Sequence, residues 1–512
     1  MRFIYDVLAI GLILLLGIFS LNYYGQYYPL YLEVYDIAYH LAQAVGMDRA
    51  GGLTLTSFWQ EAVHLAPAYY PPFFHFCNLL LLRSGASINF LGKYFIWILY
   101  PLALFSFWSF MSICFSSRVG FYSLMLFSLP ALFMQKIWGH PTFGLFCVLL
   151  PLVFLSLLKR RYITTLMLIF LSLATHLSAG MILLVLFIYA LHSHKDIKII
   201  FLLLATLLVL ASPLLWIVLK RISFYSFFPS LGINRIFKAI IGLEGFDTFF
   251  DYKRQYYVYL GILAALGVLV SYFRRGNYLI FPSLFIALVL INSLAGNGGD
   301  PAAFRYNQML PMLIFPMLGG VILDEAHAQL QETKFLSKFS GRFLGLKAMV
   351  ILLIITSIAH ILFYSLSAQP RYNRAPTLLF LNWPKIWLPY QLLFTTEQRT
   401  RLLELIKENV VEEEMVYNTV GINSTNMLSA SSRRSFTRDI KASPKMLVTE
   451  KAPSGYILLE KMNPQFSVYT LKDKNKAGKA SVPKPILSFA WMRNGFILLG
   501  ISIFMDLILG KK

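Results

Sequence analysis

The chain has 512 residues, of which 57% are hydrophobic and only 13% charged. Soluble domains carry roughly 25% charged residues and about 45–50% apolar ones, so a soluble protein of this composition could not cover its own surface. The formal charge of +21 would suit a polyanion, but many basic residues sit in short loops between apolar runs; that is membrane orientation rather than a nucleic-acid partner.

Apolar runs near the length of a membrane span, about 20 residues, lie near 3–22, 90–113, 119–135, 142–158, 162–177, 179–192, 198–219, 255–272, 278–295, 304–323, 347–366 and 487–509. The first follows Met1-Arg2 and could pass for a signal peptide. Asn22-Tyr23-Tyr24 offers no small-residue cleavage site, so an uncleaved first span is expected. The segment Tyr69–Arg83 is apolar but too short to cross upright.

Its side follows from the strongest basic marker, Lys159-Arg160-Arg161. With that loop inside, the Arg118 loop is also inside and 90–113 starts outside, so 23–89 lies wholly outside if Met1-Arg2 is inside. Tyr69–Arg83 then reads as a juxtamembrane helix on the outer face. The same parity puts Arg274-Arg275 and the basic 324–346 loop inside, and 220–254, 296–304 and 367–486 outside. About twelve crossings result.

The stretch 367–486 differs in composition from the spans. Thr395 with Gln398 makes a possible capping box before an amphipathic helix around Arg401–Glu408. Met415–Val420, Lys445–Thr449, Tyr456–Glu460 and Phe466–Leu471 read as short strands separated by turn residues. The expected organisation is a transmembrane part over 1–366, a small outer α/β domain over 367–486, and a last span with its tail over 487–512. The three cysteines, Cys77, Cys114 and Cys147, lie in apolar segments without metal-ligand spacing and read as small core residues.

The chemistry-bearing residues cluster after the first span. Asp36 and His40 are spaced i, i+4 and share one helix face. Trp59, Glu61 and His64 follow, and then Tyr69-Tyr70-Pro71-Pro72-Phe73-Phe74-His75. A carboxylate just outside a span, followed by an aromatic helix opened by Pro-Pro, can wall a site at the membrane surface. The plainer alternative is that Asp36 caps a helix and the aromatics form an interfacial belt. Further on, Thr175-His176 closes a span and Arg305-Tyr306 opens a late one.

The ordered set of Asp36-x3-His40, Tyr70-Pro71-Pro72-x2-His75, Thr175-His176 and Arg305-Tyr306 resembles the GT-C class of integral membrane glycosyltransferases. That class includes protein O-mannosyltransferases, lipid A aminoarabinose transferases and the oligosaccharyltransferase catalytic subunit. The resemblance implies a polytopic α-helical fold with outer juxtamembrane helices. It also implies transfer of a sugar from a polyprenyl-phosphate-linked donor at the outer membrane surface to a protein, lipid or glycan acceptor. Carried over, Asp36 becomes the general base or acceptor-orienting group. Arg305, next to Tyr306, becomes the first candidate to stabilise the leaving phosphate. Arg235 and Lys238, in the basic 220–254 loop, are second candidates for the donor phosphate. His40, Glu61, Tyr70, His75 and His176 complete the expected substrate-binding set.

The sequence departs from the class in two places. The signature Trp-Trp-Asp-Tyr-Gly is absent; the nearest aromatic run, Asn382-Trp383-Pro384-Lys385-Ile386-Trp387, lacks the acid. The outer turn Gln135-Lys136-Ile137-Trp138-Gly139-His140-Pro141 has no Asp-x-Asp pair. Transfer of an oligosaccharide to asparagine is therefore disfavoured, and a divalent metal is disfavoured with it. Two other classes remain open: a secondary transporter, which would place its site near the midplane with internal repeats, and a non-catalytic envelope assembly protein with the same fold. The expected membrane is a prokaryotic plasma membrane with the site facing outside.

Overall fold

A computed structural model describes residues 2–34, 36–54, 56–59, 62, 70–128, 131–193, 205, 255–295, 310–335, 396–419, 422–437 and 439–509. Long apolar runs without water to bond must satisfy their backbone internally, and helices do this within one segment. Among the described residues, four helices are long and apolar enough to cross a membrane: Phe3–Asn22, Ile88–Cys114, Pro141–Leu158 and Leu310–Gln329. Shorter apolar helices are Phe73–Arg83, Tyr162–Leu173, Gly180–His192, Leu260–Arg274 and Gly276–Leu290. Residue 205 apart, the expected spans at 198–219 and 347–366 lie outside the described residues.

Helix α1, Arg2–Val34, does not stop with its apolar run at Asn22. Its 33 residues make a rod about 50 Å long, longer than a hydrocarbon core of roughly 30 Å, so its last turns project past the membrane and carry the chain to Asp36. Helix α2 is Ile37–Ala50, and strand β1 is Gly52–Leu53. Helix α3, Phe73–Arg83, has 11 residues, too few to cross, in keeping with a surface helix.

Helix α4 is Ile96–Cys114 and α5 is Ser117–Ser128. Of the expected span 119–135, residues 129 and 130 lie outside the described residues; the structure describes α5 up to Ser128 and α6, Ala131–Gly139. Helix α7, Pro141–Leu158, starts immediately afterwards with proline in its first turn, where no N–H is needed. Helices α8 (Tyr162–Leu173), α9 (Gly180–Ser193), α10 (Gln255–Arg274) and α11 (Ile280–Ala295) follow.

Helix α12, Leu310–Phe335, continues well past the expected end of its span at 323. It can do so because its charges are paired: Asp324 accepts from Arg118 and, at 3.0 Å, from Arg274, and Glu325 accepts from Arg274 at 2.6 Å. Loop parity puts Arg118, Arg274 and the 324 loop on one side, and the fold brings these groups together at one end of the bundle.

The helices approach closely where glycines line the contact. A Cβ added at Gly267 would stand 2.1 Å from the Leu318 carbonyl oxygen, and one at Gly320 would stand 1.9 Å from Ser123 Oγ. Small residues permit the backbone approach that holds membrane helices together. One continuous apolar core joins these helices, with Phe107 and Phe127 stacked at 4.6 Å and Trp138, Phe143 and Phe154 fully buried.

Past the bundle, α13 (Thr396–Asn409) and α14 (Ile422–Ser432) lie with a five-stranded sheet. Its strands are β2 (Met415–Asn418), β3 (Ser435–Thr437), β4 (Met446–Thr449), β5 (Tyr456–Lys461) and β6 (Ser467–Leu471), in the order β3-β2-β4-β6-β5. β2 is parallel to β3 and β4, whereas β6 is antiparallel to β4 and β5. The central β4 is buried on both faces, as its Met446-Leu447-Val448 run requires. Leu402, Leu405 and Ile406 of α13, spaced at i, i+3 and i+4, pack with Val416, Phe436 and Val448 into a second core.

This sheet region is tied to the segment after α1. Phe436 and residues 59–62 exchange backbone hydrogen bonds of 2.9 Å, and Arg49 forms a two-pronged ion pair with Glu412. Strand β7, Leu487–Ser488, pairs antiparallel with β1 and leads into α15, Phe489–Leu509.

Two outcomes test this arrangement. Gly320→Val should overpack the α5–α12 contact and cost about 1–3 kcal/mol, read as a lowered melting temperature of the detergent-solubilised chain against wild type. Ser84→Cys, in a background without the native cysteines, should react with an impermeant maleimide only from outside; labelling from the cytoplasm alone would break the loop parity.

Candidate functional site

Asp36 occupies the N-cap position of α2, yet its side chain makes no capping bond. The carboxylate is used elsewhere. Its Oδ2 accepts a hydrogen bond from the Tyr70 hydroxyl and another, at 2.9 Å, from His140 Nδ1. The Asp36 backbone N–H also donates to the Gly139 carbonyl at 3.3 Å. Three segments far apart in sequence therefore meet at one carboxylate: the end of α1, the Tyr-Pro-Pro entry to α3, and the α6–α7 turn. The Asp36 side chain keeps 31% exposure and that of His140 keeps 22%, so the cluster opens to one side.

Each neighbour is held by local structure. His140 stands between Gly139 and Pro141, where α6 ends and α7 begins. The turn is tight because α7 packs back on α6 at Gly144, where a Cβ would lie 2.8 Å from the Ile137 carbonyl oxygen. Tyr70 is buried, with its ring 4.7 Å from that of His40 and 5.8 Å from that of Tyr39. At the start of α3, Phe73 N–H donates to the Ala174 carbonyl at 2.8 Å, which anchors the helix to the end of α8.

Below Asp36 sits a pair of imidazoles. His40 Nδ1 and His75 Nε2 share a hydrogen bond of 2.8 Å, and both residues are fully buried. Such a bond needs one nitrogen with its hydrogen and one without, so it suits two neutral rings. Burial pushes His40 down to about 3, an effect that the Asp36 carboxylate opposes. For Asp36 burial acts upward, but the hydrogen bond and charge of His140, with His40 and the Tyr70 hydroxyl, outweigh it. The carboxyl is held well below the usual carboxylate range. The site thus sets an ionised carboxylate beside the buried His40–His75 pair.

His176 is buried on the far side of α7, its ring 5.6 Å from Phe143 and 5.8 Å from Phe146, and its Nδ1 accepts from the Ser178 N–H at 3.2 Å. The structure thus brings Asp36, His40, Tyr70 and His75 into one cluster and sets His176 beside the helix that carries His140. Glu61, Arg235, Lys238, Arg305 and Tyr306 lie outside the described residues. Sequence reasoning passed over His140, which it treated only as part of a turn lacking an Asp-x-Asp pair. The available signal was a histidine before a helix-starting proline on the same expected face as Asp36. Among the described residues no three His, Cys, Asp or Glu side chains are grouped to hold a metal ion.

His75→Leu should leave the buried His40 Nδ1 without its partner and cost about 1–3 kcal/mol. The His40 shift also makes stability depend on pH. An unfolded histidine titrates near 6.5, so between about 6.5 and about 3 the unfolded chain binds the extra proton and the fold does not. Stability should fall as pH drops through that window, by up to about 1.4 kcal/mol per unit from this group. Melting temperatures measured from pH 7 to pH 4 should show a steeper loss for wild type than for His40→Gln.

No family model matches the chain. No curated protein matches its sequence. Solved structures do match its fold. An apo crystal structure of the oligosaccharyltransferase of Archaeoglobus fulgidus aligns with a TM-score of 0.51 at 12% identity, over 85% of this chain and 65% of that one. The archaeal oligosaccharyltransferase AglB from the same organism, in complex with an inhibitory peptide and a dolichol-phosphate, aligns with a TM-score of 0.50 at 12% identity, over 84% and 64%. The chain thus spans a little under two thirds of the length of each. The chain shares its fold with these archaeal oligosaccharyltransferase structures.

Proposed function

We propose that the chain is an integral membrane glycosyltransferase. It moves a sugar from a polyprenyl-phosphate-linked donor to a hydroxyl of a protein, lipid or glycan acceptor at the outer membrane surface. The observation that carries this reading is the convergence on Asp36 of Tyr70 and His140, just past the end of α1. That a fold neighbour was solved with a dolichol-phosphate and a peptide supports a lipid-linked donor. The missing signature acid and the absent Asp-x-Asp pair favour a hydroxyl over an asparagine amide as acceptor.

Among the described residues both hydrogen bonds to the Asp36 carboxylate fall on Oδ2, and Oδ1 accepts none. An ionised Oδ1 can accept the hydrogen bond of an incoming hydroxyl and orient its oxygen for attack on the anomeric carbon. The departing phosphate calls for cationic stabilisation, and Arg305, Arg235 and Lys238 are the residues proposed to supply it. No step is routed through a metal ion.

The test uses purified protein in liposomes, long-chain polyprenyl phosphates bearing radiolabelled glucose, mannose or galactose, and an envelope fraction as acceptor. Wild type should move label out of the lipid-linked pool, and Asp36→Asn should slow this by about 100-fold or more with its melting temperature kept. Full activity in Asp36→Asn would remove the carboxylate from the reaction. Solute uptake by liposomes lacking any lipid-linked sugar would favour a transporter instead.

A further inference from the structure

We infer that the stretch from Lys472 to Arg493 is a docking surface for anionic lipid headgroups and that it seats the sheet region on the bilayer. The inference stands apart from the transferase reading. Between Lys472 and Lys484 the chain carries five lysines against one acid, Asp473. In short loops such charge fixes orientation, but a segment as long as 367–486 translocates largely regardless of its charge. Orientation therefore does not account for these lysines.

The stretch is a fixed surface and not a loose tail. Gly478 N–H donates to the Ser443 carbonyl at 2.7 Å and Ala480 N–H to the Glu413 carbonyl at 2.8 Å, which ties its middle to the sheet region. A Cβ at Gly478 would stand 2.0 Å from the Ala442 carbonyl oxygen, so this contact leaves no room for a side chain. Its far end is held by Ile486 N–H on the Leu53 carbonyl at 2.8 Å and Phe489 N–H on the Gly51 carbonyl at 3.0 Å. On this frame Lys472, Lys476, Lys479 and Lys484 are all exposed. Lys476 meets Asp473 at 3.4 Å and Lys479 meets Glu413 at 2.9 Å, but exposed pairs of this kind hold weakly and give way to a denser anionic surface.

Apolar side chains stand exposed in the same stretch: Val482, Leu487, Ile486 at 60% and Trp491 at 75%. A soluble anion would answer the lysines and leave these four in water. An apolar protein partner would cover the four and leave the lysines unanswered. The headgroup layer of an anionic bilayer satisfies both, since lysines meet lipid phosphate while apolar and indole groups enter the acyl boundary. The stretch also runs without a break into α15, the expected last span, whose first turns carry Trp491 and the exposed Arg493. Because β7 pairs with β1, next to α2, docking here holds the segment that carries His40 at headgroup depth.

The experiment uses the full chain in lipid nanodiscs, with a fluorophore on Val482→Cys in a background without the native cysteines. Acrylamide, a neutral quencher, reads the exposure of the probe. Each docked lysine should favour the bound state about fivefold, so quenching should be about twofold weaker in discs with about one third phosphatidylglycerol than in phosphatidylcholine alone. Salt at about 1 M, which cuts the Debye length to about 3 Å, should restore it. The combined Lys472→Gln, Lys476→Gln and Lys484→Gln variant should lose the difference between the two lipids, and arginine at the same three positions should keep it, which separates lost charge from misfolding. Equal quenching in both discs overturns the proposal, and so does a lipid difference that survives in the glutamine variant. Protection of the probe by inorganic phosphate in phosphatidylcholine discs overturns it in favour of a soluble anion. Protection that grows with the number of chains per disc overturns it in favour of a second copy. None of these readouts needs sugar transfer, so failure of the transferase reading would leave them unchanged.

Discussion

One carboxylate oxygen joins the parts of this molecule that matter for its chemistry. Asp36 Oδ2 takes hydrogen bonds from Tyr70 and His140, which arrive from an aromatic surface helix and from the turn between two bundle helices. A partly buried anion must be compensated by donors or it loses its charge. The two donors therefore keep Asp36 ionised, and in doing so they fix where three chain segments stand relative to one another.

The surroundings follow from that constraint. The buried His40–His75 pair lies next to it and joins α2 to α3. Gly144 lets α7 pack against α6 closely enough to aim His140 at Asp36, and the Phe73–Ala174 backbone bond sets the start of α3. The strand pairing of β1 with β7, the Arg49–Glu412 ion pair and the exchange between Phe436 and residues 59–62 then bind the sheet region to the same segment. At another end of the bundle, Arg118, Arg274, Asp324 and Glu325 form a polar clasp that is distinct from the site.

Much of the local structure was legible in particular residues. Apolar runs marked the helices, the i, i+4 spacing of Asp36 and His40 marked their shared face, and the short run ending at Arg83 marked a short helix. Alternating apolar residues at Met415–Val420 and Lys445–Thr449 marked strands. Less legible were the length of α1 past Asn22 and the extension of α12 to Phe335. These depend on where polar groups find partners, and a hydropathy count does not contain that information. The length of α12 is the clearest case, because Asp324 and Glu325 look like a helix end until Arg118 and Arg274 are seen beside them.

By itself the sequence determined that this is a membrane protein of helices, that its scarce acids are worth attention, and that Asp36 follows the first span with Tyr70, His75 and His176 in a recognisable order. Those conclusions rest on composition and periodicity, which act locally along the chain. Only the tertiary structure decided that Asp36 is a bridge rather than a cap, that His40 and His75 face each other in the interior, and that His140 belongs to the site. The physical reason is that a hydrogen bond between residues 104 positions apart leaves no mark in either local pattern. It exists because helix packing brings a turn and a helix start to the same place, and there the buried charge selects its donors.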